Sequence, residues 1–287
     1  MKHYLFKQTA LLFNLSLFIL LLSPPAIAKD WSKSSNIEDQ VKVKLQSYNV
    51  ESSLPGKLTK ASRQNPLEIQ GNLYIPKDAD NPPVVLYLLS SGGYSKKYDG
   101  GWLKYFRDKN YATFWFDQYT PRGLDLSTGL GKSQAGMTDM SYLSDVFAAI
   151  SYLRRHPKLK SSKIVTFGSS WGGGIQMYML SDWYSQIIGG GQTVDGHIAI
   201  TPYCYLTVDK PTVSSEATRS LVIYGEKDIW TKPKPCQDYV AKLKTSGGLI
   251  NEHIVKGGNH GLARVQKEKK YKVTTWNCQV TFEPSTM

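Results

Sequence analysis

From residue 84 onward the chain alternates short, continuously apolar runs with segments of helical periodicity, and this alternation limits the folds open to it. The runs are VVLYLL, YATFWFD, IVTFG, HIAIT, SLVIYG and a shorter NEHIVKG. Apolar residues at successive positions over so few residues suit strands covered on both faces. Between the runs lie LKYFRDK, MSYLSDVFAAISYLRRHP, GGGIQMYMLSDWYSQ and PKPCQDYVAKLKTSG, which read as helices. In the second of these, Leu143, Phe147, Ile150 and Leu153 recur at helical spacing. Ahead of them, VKVKLQSYNV and LEIQGNLYIP alternate apolar and polar residues in strand fashion. The expected fold class is α/β, a mostly parallel sheet with helices on both faces. Such a sheet binds its ligands beyond the carboxyl ends of its strands.

Residues 1–28 have the layout of a secretory signal peptide. Lys2 and Lys7 precede an apolar stretch over residues 11–22, and Ala26-Ile27-Ala28 offers small residues for cleavage. A retained anchor is the other reading, but the stretch is short for a bilayer span and Pro24-Pro25 follow it. The expectation is cleavage after Ala28 and export to the periplasm or beyond. Residues 29–287 then form a single domain, with a core over about 40–265 and a C-terminal extension over 266–287.

Loss of Lys2 and Lys7 lowers the formal net charge from +12 to +10. This surplus would draw the protein to anionic envelope surfaces. The lysines are scattered, with one run at residues 267–270, and no arginine-rich helix or interleaved aromatic pattern points to nucleic acid. The three cysteines, Cys204, Cys236 and Cys278, lack metal-ligand spacing and have no histidine cluster beside them. Neither a metal nor a cofactor is expected. In an oxidising compartment two of the three would pair.

The motif that carries chemistry is Gly168-Ser169-Ser170-Trp171-Gly172, a G-x-S-x-G pattern centred on Ser170. Alone it is a weak signal. It gains weight because it directly follows a strand-like run and opens a helix-like one, where a tight turn needs small flanking residues to expose a serine. A serine hydroxyl is inert without a base and an oxyanion site. Asp228 lies just past the run SLVIYG and His260 just past NEHIVKG, which gives the chain order Ser, Asp, His at successive strand ends. His260 would take the Ser170 proton, and Asp228 would orient the imidazole. Glu226, tighter in the same turn, is the alternative acid. His253 sits inside a strand run, His156 ends a helix and His197 starts a strand, so each reads as structural. The oxyanion donors would be the Trp171 N–H and one from the loop LLSSGGYSKKYDGG, either Gly92 or Ser91.

Over residues 67–262 the chain resembles the α/β-hydrolase superfamily, and within it the exported dienelactone-hydrolase-like proteins. The likeness rests on GSSWGG, the GEKD turn, the NHG loop and FDQYTPRGL. It implies Ser170, Asp228 and His260 as a triad and ester hydrolysis as the activity. This elbow holds serine where dienelactone hydrolases hold cysteine, which shifts the expectation towards general carboxylic esters. Ser90-Ser91 replaces the usual His-Gly, and little chain is left for a large lid. A peptidase or acyltransferase on the same triad, or a non-catalytic envelope-binding protein, are the alternatives.

Arg122 is a candidate for holding an acidic substrate group, or else a tie to a carboxylate such as Asp117. Tyr94, Trp230, Tyr203 and Tyr205 are candidates for a substrate pocket, with packing under loops as the other reading. Cys204 and Cys236 flank the acid segment at the ends of adjacent strands, and the resemblance also favours their pairing. Cys278 would then be left over; a bridge from Cys278 is the competing assignment.

Overall fold

The computed structural model describes residues 40–50, 63–124, 136–204, 213 and 218–263. The signal-like segment, Tyr205, the 267–270 run and Cys278 lie outside these residues. Within them, β1 (Val41–Val50), β2 (Arg63–Tyr74), β3 (Val84–Leu88), β4 (Ala112–Phe116), β5 (Ile164–Ser169), β6 (Gly196–Ile200), β7 (Arg219–Gly225) and β8 (Leu249–Val255) form one sheet. Their order across it is β1-β2-β4-β3-β5-β6-β7-β8.

The pairing follows from the two kinds of apolar pattern. β1 and β2, with alternating sequences, pair antiparallel to one another, and β2 pairs antiparallel to β4. All pairs from β4 through β3 to β8 are parallel. β3, apolar throughout, and β6, apolar but for His197, are buried along their whole length, as strands covered on both faces must be. After β4 the chain crosses back over β3 to add β5, so the winding reverses beside β3. Loops leaving the carboxyl ends of β3 and β5 therefore border a crevice, the usual ligand site of such a sheet.

One face is covered by α1 (Asp99–Asp108), whose Trp102 and Phe106 rings lie 4.7 and 5.1 Å from Phe167 of β5. On the other face lie α2 (Asp139–Arg155), α3 (Trp171–Met179), α4 (Asp182–Gly189) and α5 (Pro233–Thr245). α2 starts where the Thr138 hydroxyl accepts the Ser141 N–H, and it ends with Arg154 and Arg155 against the negative end of its dipole. Its buried residues Leu143, Phe147, Ile150 and Leu153 join β3 and β4 in the main core.

The segment GGGIQMYMLSDWYSQ reads as a single helix in the sequence but folds as two, α3 and α4. Ser181 breaks the ladder by taking an extended conformation (φ −98°, ψ 125°) and forming a β-bridge with Val213. Its N–H still closes the end of α3 on Tyr178 O (3.1 Å) and its carbonyl accepts Ser185 N (3.3 Å) at the start of α4, so the break is confined to this one residue.

Candidate active site

β5 runs into Ser170, and α3 begins at the next residue. Ser170 has φ 53° and ψ −116°, a backbone conformation that costs a non-glycine residue energy and persists only where its surroundings enforce it. Those surroundings are visible. A Cβ on Gly168 would lie 2.8 Å from the Leu88 carbonyl oxygen, and one on Gly172 only 2.3 Å from the same atom. Both glycines of the motif are thus required by the end of β3, which presses on the turn. The Ser170 N–H donates to Ile200 O (3.0 Å), and the Ser170 carbonyl accepts from Gly174 N (2.8 Å).

The Ser170 hydroxyl faces His260, with Oγ 2.9 Å from Nε2. His260 Nδ1 lies 2.9 Å from Asp228 Oδ2. The Asp228 carboxylate is buried and also accepts from the N–H groups of Trp230 and Thr231, both at 2.9 Å, and from the Thr231 hydroxyl at 2.7 Å. Burial alone would raise its pKa; the Thr231 hydrogen bonds and the His260 contact outweigh this and leave it below the ordinary carboxylate value. An ionised Asp228 keeps the proton of His260 on Nδ1, so Nε2 presents a lone pair to the Ser170 hydroxyl.

The two loops carrying the acid and the imidazole are packed backbone to backbone. A Cβ on Gly225 would lie 2.7 Å from Gly258 O, and Lys227 N donates to the same oxygen at 2.7 Å. Glu226, the alternative acid, accepts from Gly257 N at 2.7 Å and so clasps the two loops together. The other histidines with described partners stand elsewhere. His197 is buried on β6 against the Thr166 hydroxyl, and His156 caps α2. Its ring accepts from Lys158 N. His253 is exposed on β8.

Trp230 is 71% exposed and stacks on the His260 ring at 5.4 Å, forming a lip beside the imidazole. Trp171 is the first residue of α3, so its N–H has no acceptor within the helix. Gly92 is exposed at the crest of the turn after β3, where Gly93 N donates to Ser90 O (3.0 Å).

Other candidate side chains serve packing or pairing away from this cluster. Arg122 binds no open site: its guanidinium is 4% exposed and makes a two-pronged pair with the fully buried Asp145, with Asn49 on its Nε. Asp117 is not its partner but closes the turn ahead of it, accepting from Tyr119 N and Thr120 N. Tyr94 stacks on Trp115 of β4 (4.3 Å, 15°), across β3 from the elbow, and burial pushes its hydroxyl up to about 12. Tyr203 packs on α3, where a Cβ on Gly174 would meet its ring at 2.5 Å, and it bonds Asp139.

Cys204 and Cys236 are joined by a disulfide. Thr231, Asp139, Tyr119 and Tyr142 escape the sequence reading, although Asp228-x-x-Thr231 just ahead of a Pro-led helix has the spacing of a hydroxyl that closes a turn. A pocket of about 270 Å³ lies among β1, α2 and α4, lined by Tyr48, Tyr152 and Gln192 among others, and includes no residue of the Ser-His-Asp cluster.

No protein-family model matches the chain, and no curated protein matches it in sequence. Solved structures do match its fold. Esterase 2 of Thermogutta terrifontis superposes with a TM-score of 0.57 at 14% identity, covering 81% of this chain and 87% of that one. Its butyrate-bound form gives 0.56 at 13% identity, with 81% and 88% covered. A protein described as a dienelactone hydrolase from Klebsiella pneumoniae gives 0.51 at 15% identity, with 77% and 88% covered. Together with the strand order, these likenesses show that the chain has the α/β-hydrolase fold, as the resemblance in sequence implies.

Proposed function

We propose that the protein is an exported serine hydrolase that cleaves carboxylic esters through an acyl-enzyme. The observation that carries this reading is the continuous chain Ser170 Oγ–His260 Nε2–His260 Nδ1–Asp228 Oδ2, with both links at 2.9 Å and the serine held in a strained turn. Ser170 Oγ attacks the ester carbonyl carbon while Nε2 takes its proton, giving a tetrahedral oxyanion beside the Trp171 N–H. Collapse of that intermediate breaks the C–O bond to the alcohol, which leaves with the proton from Nε2. Water then attacks the acyl-serine by the same route and releases the acid. Asp228 stabilises the imidazolium formed in both halves.

The fold neighbours support esters as the substrate class: one is an esterase described with butyrate bound, and the same esterase is described as phosphorylated by paraoxon. Residues 1–28 and the disulfide support export. A peptidase or acyltransferase would use the same groups, and the acyl acceptor alone separates the latter from a hydrolase.

Turnover of short p-nitrophenyl esters and labelling by a fluorophosphonate test the reading. Ser170→Ala should lose both and remain folded, whereas Ser169→Ala keeps most of each. A wild-type protein that neither turns over esters nor labels, or a Ser169→Ala variant that is the inactive one, refutes it.

A further inference from the structure

The turn after β3 is held from beneath by side chains of two other segments. The Tyr119 hydroxyl donates to Ser91 O at 2.9 Å, and the Tyr142 hydroxyl donates to Leu89 O at 2.8 Å. The intervening Ser90 O receives Gly93 N at 3.0 Å and, at longer range, the Gln118 amide at 3.4 Å. Both tyrosines are fully buried, and their rings lie 5.8 Å (Tyr119) and 4.9 Å (Tyr142) from the Trp171 ring. The Trp171 indole is itself fixed by Asp139 at 2.7 Å. One aromatic cluster therefore supports both the start of α3 and the neighbouring turn.

The geometry of the peptide bond gives these contacts a consequence. A trans peptide is planar, and its C=O points opposite to the N–H of the following residue. Drawing the Ser91 carbonyl down onto Tyr119 turns the Gly92 N–H outward, away from the core. The Ser90 carbonyl is shared between Gly93 N of its own turn at 3.0 Å and the longer Gln118 contact at 3.4 Å, so the Ser91 N–H is not set by a single short bond as that of Gly92 is. Gly92 carries no side chain to block an approaching ligand; a Cβ there would meet only Ser90 Oγ, at 3.7 Å. The turn runs over the start of α3, since a Cβ on Gly172 would touch the oxygens of both Leu88 and Leu89.

We propose that Tyr119 is a positioning residue that aims the Gly92 N–H, as second donor beside that of Trp171, at the oxygen that becomes negative in the tetrahedral intermediate. This rests on the ester-hydrolase reading above. It gives the FDQYTPRG segment a use that the triad does not supply. Asp117 fixes the Tyr119 N–H at 2.8 Å, and Arg122, anchored on Asp145, holds Gln118 O at 2.9 Å. The hydroxyl that pins Ser91 is thereby presented on a braced turn.

Tyr119→Phe and Tyr142→Phe form a matched pair, because each removes one buried hydroxyl, keeps a ring against Trp171 and frees one carbonyl of the same turn. Loss of a whole oxyanion donor costs about 10²–10³ in kcat; Tyr119→Phe, which only unpins one, should lower kcat about 10- to 100-fold. KM should hold, and affinity for an alkylboronic acid, which places a tetrahedral oxygen in the hole, should fall by a similar factor. Tyr142→Phe should lose comparable stability with kcat little changed. Tyr224→Phe, whose hydroxyl bonds Glu252, serves as a packing control. Rates are normalised to fluorophosphonate-titratable sites, so a smaller folded fraction does not imitate the effect. Equal kcat losses in the matched pair, a larger loss in Tyr142→Phe, or no loss in Tyr119→Phe would overturn the proposal while wild-type turnover left the ester-hydrolase reading intact. A structure of the wild-type protein phosphonylated at Ser170 decides independently of any variant. The phosphoryl oxygen should meet the N–H groups of Trp171 and Gly92, and an oxygen bound by Ser91 N–H instead would overturn the assignment.

Discussion

Reduction of the Cys204–Cys236 bond isolates the effect of the crosslink, because both sulfurs stay in the core, where Cys204 is 6% and Cys236 0% exposed. The bond closes a ring across a sequence separation of 32 residues. In the chain-entropy account a ring of this size removes roughly 12 cal/mol/K from the unfolded ensemble, or about 4 kcal/mol at 25 °C. For a domain of this length each kcal/mol moves the midpoint by about 2–4 °C, so reduced protein should melt about 8–16 °C lower. The ring contains β7 and the Asp228 turn, yet that turn is also clasped to the β8 side by Glu226 N to Val255 O (3.1 Å) and Lys227 N to Gly258 O (2.7 Å). Ester turnover by the folded reduced protein at 25 °C should therefore match the oxidised form. Calorimetry of protein refolded with and without reductant measures the first quantity, and a Cys204→Ala/Cys236→Ala variant should lose at least as much, since it adds small voids. Coincident melting curves would refute the argument, as would peptide mapping that finds Cys278 in the intrachain crosslink.

Gly172→Ala should abolish most ester turnover, because its Cβ would lie 2.3, 2.8 and 2.9 Å from backbone atoms of Leu88 and Leu89 that cannot yield without moving the end of β3; near-normal kcat would contradict the close approach. Arg122→Met should destabilise by roughly 3–5 kcal/mol in chemical denaturation, since it leaves the carboxylate of Asp145 buried without its cation, and a loss below about 1 kcal/mol would show that the pair is solvated. His197, buried on β6, has its pKa lowered to about 3 by desolvation. The unfolded chain binds that proton near pH 6.5, so stability falls as pH drops from 6.5 towards 3, by about 2 kcal/mol at pH 5 from this group alone. His197→Gln should flatten that part of the stability curve; an unchanged slope would refute the assignment.

The sheet was legible because its signal is local and strong. VVLYLL is apolar at every position and HIAIT over its middle, and runs this short between turn residues suit a strand covered on both faces. The meeting of Ser170, Asp228 and His260 was legible for a related reason: parallel strands deliver their following loops to one edge, where these three side chains come together. What escaped depends on side chains meeting across the fold. Nothing in TPRGL indicates that Arg122 turns inward to Asp145, 23 residues on in α2, rather than to Asp117 five residues before it. Tyr119, Tyr142 and Asp139 belong to segments whose meeting beneath Trp171 is set by packing of α2 against α3. The break at Ser181 likewise depends on Val213, a distant partner that no helical periodicity reveals.

Strain at this edge of the sheet is not confined to Ser170. Thr201, directly after β6, has φ 44°, a conformation that is an outlier for a β-branched residue. It is held by its N–H to Ile223 O at 2.7 Å, just as Ser170 is held by its N–H to Ile200 O at 3.0 Å. The two strained residues thus sit on successive parallel strands, each fixed by the carbonyl of the next strand over. The Thr231 hydroxyl, which donates to Asp228 Oδ2 at 2.7 Å, also lies 3.0 Å from the Thr201 carbonyl oxygen and 3.0 Å from His260 Nδ1. Backbone bonds and the Thr231 hydroxyl therefore join the serine turn to the Asp228 loop without passing through the imidazole. Each strained residue costs of order 1–3 kcal/mol, and the fold sustains both where they set the spacing between Ser170 and Asp228. In the proposed mechanism the imidazole exchanges partners while the distance it must bridge stays fixed by the sheet.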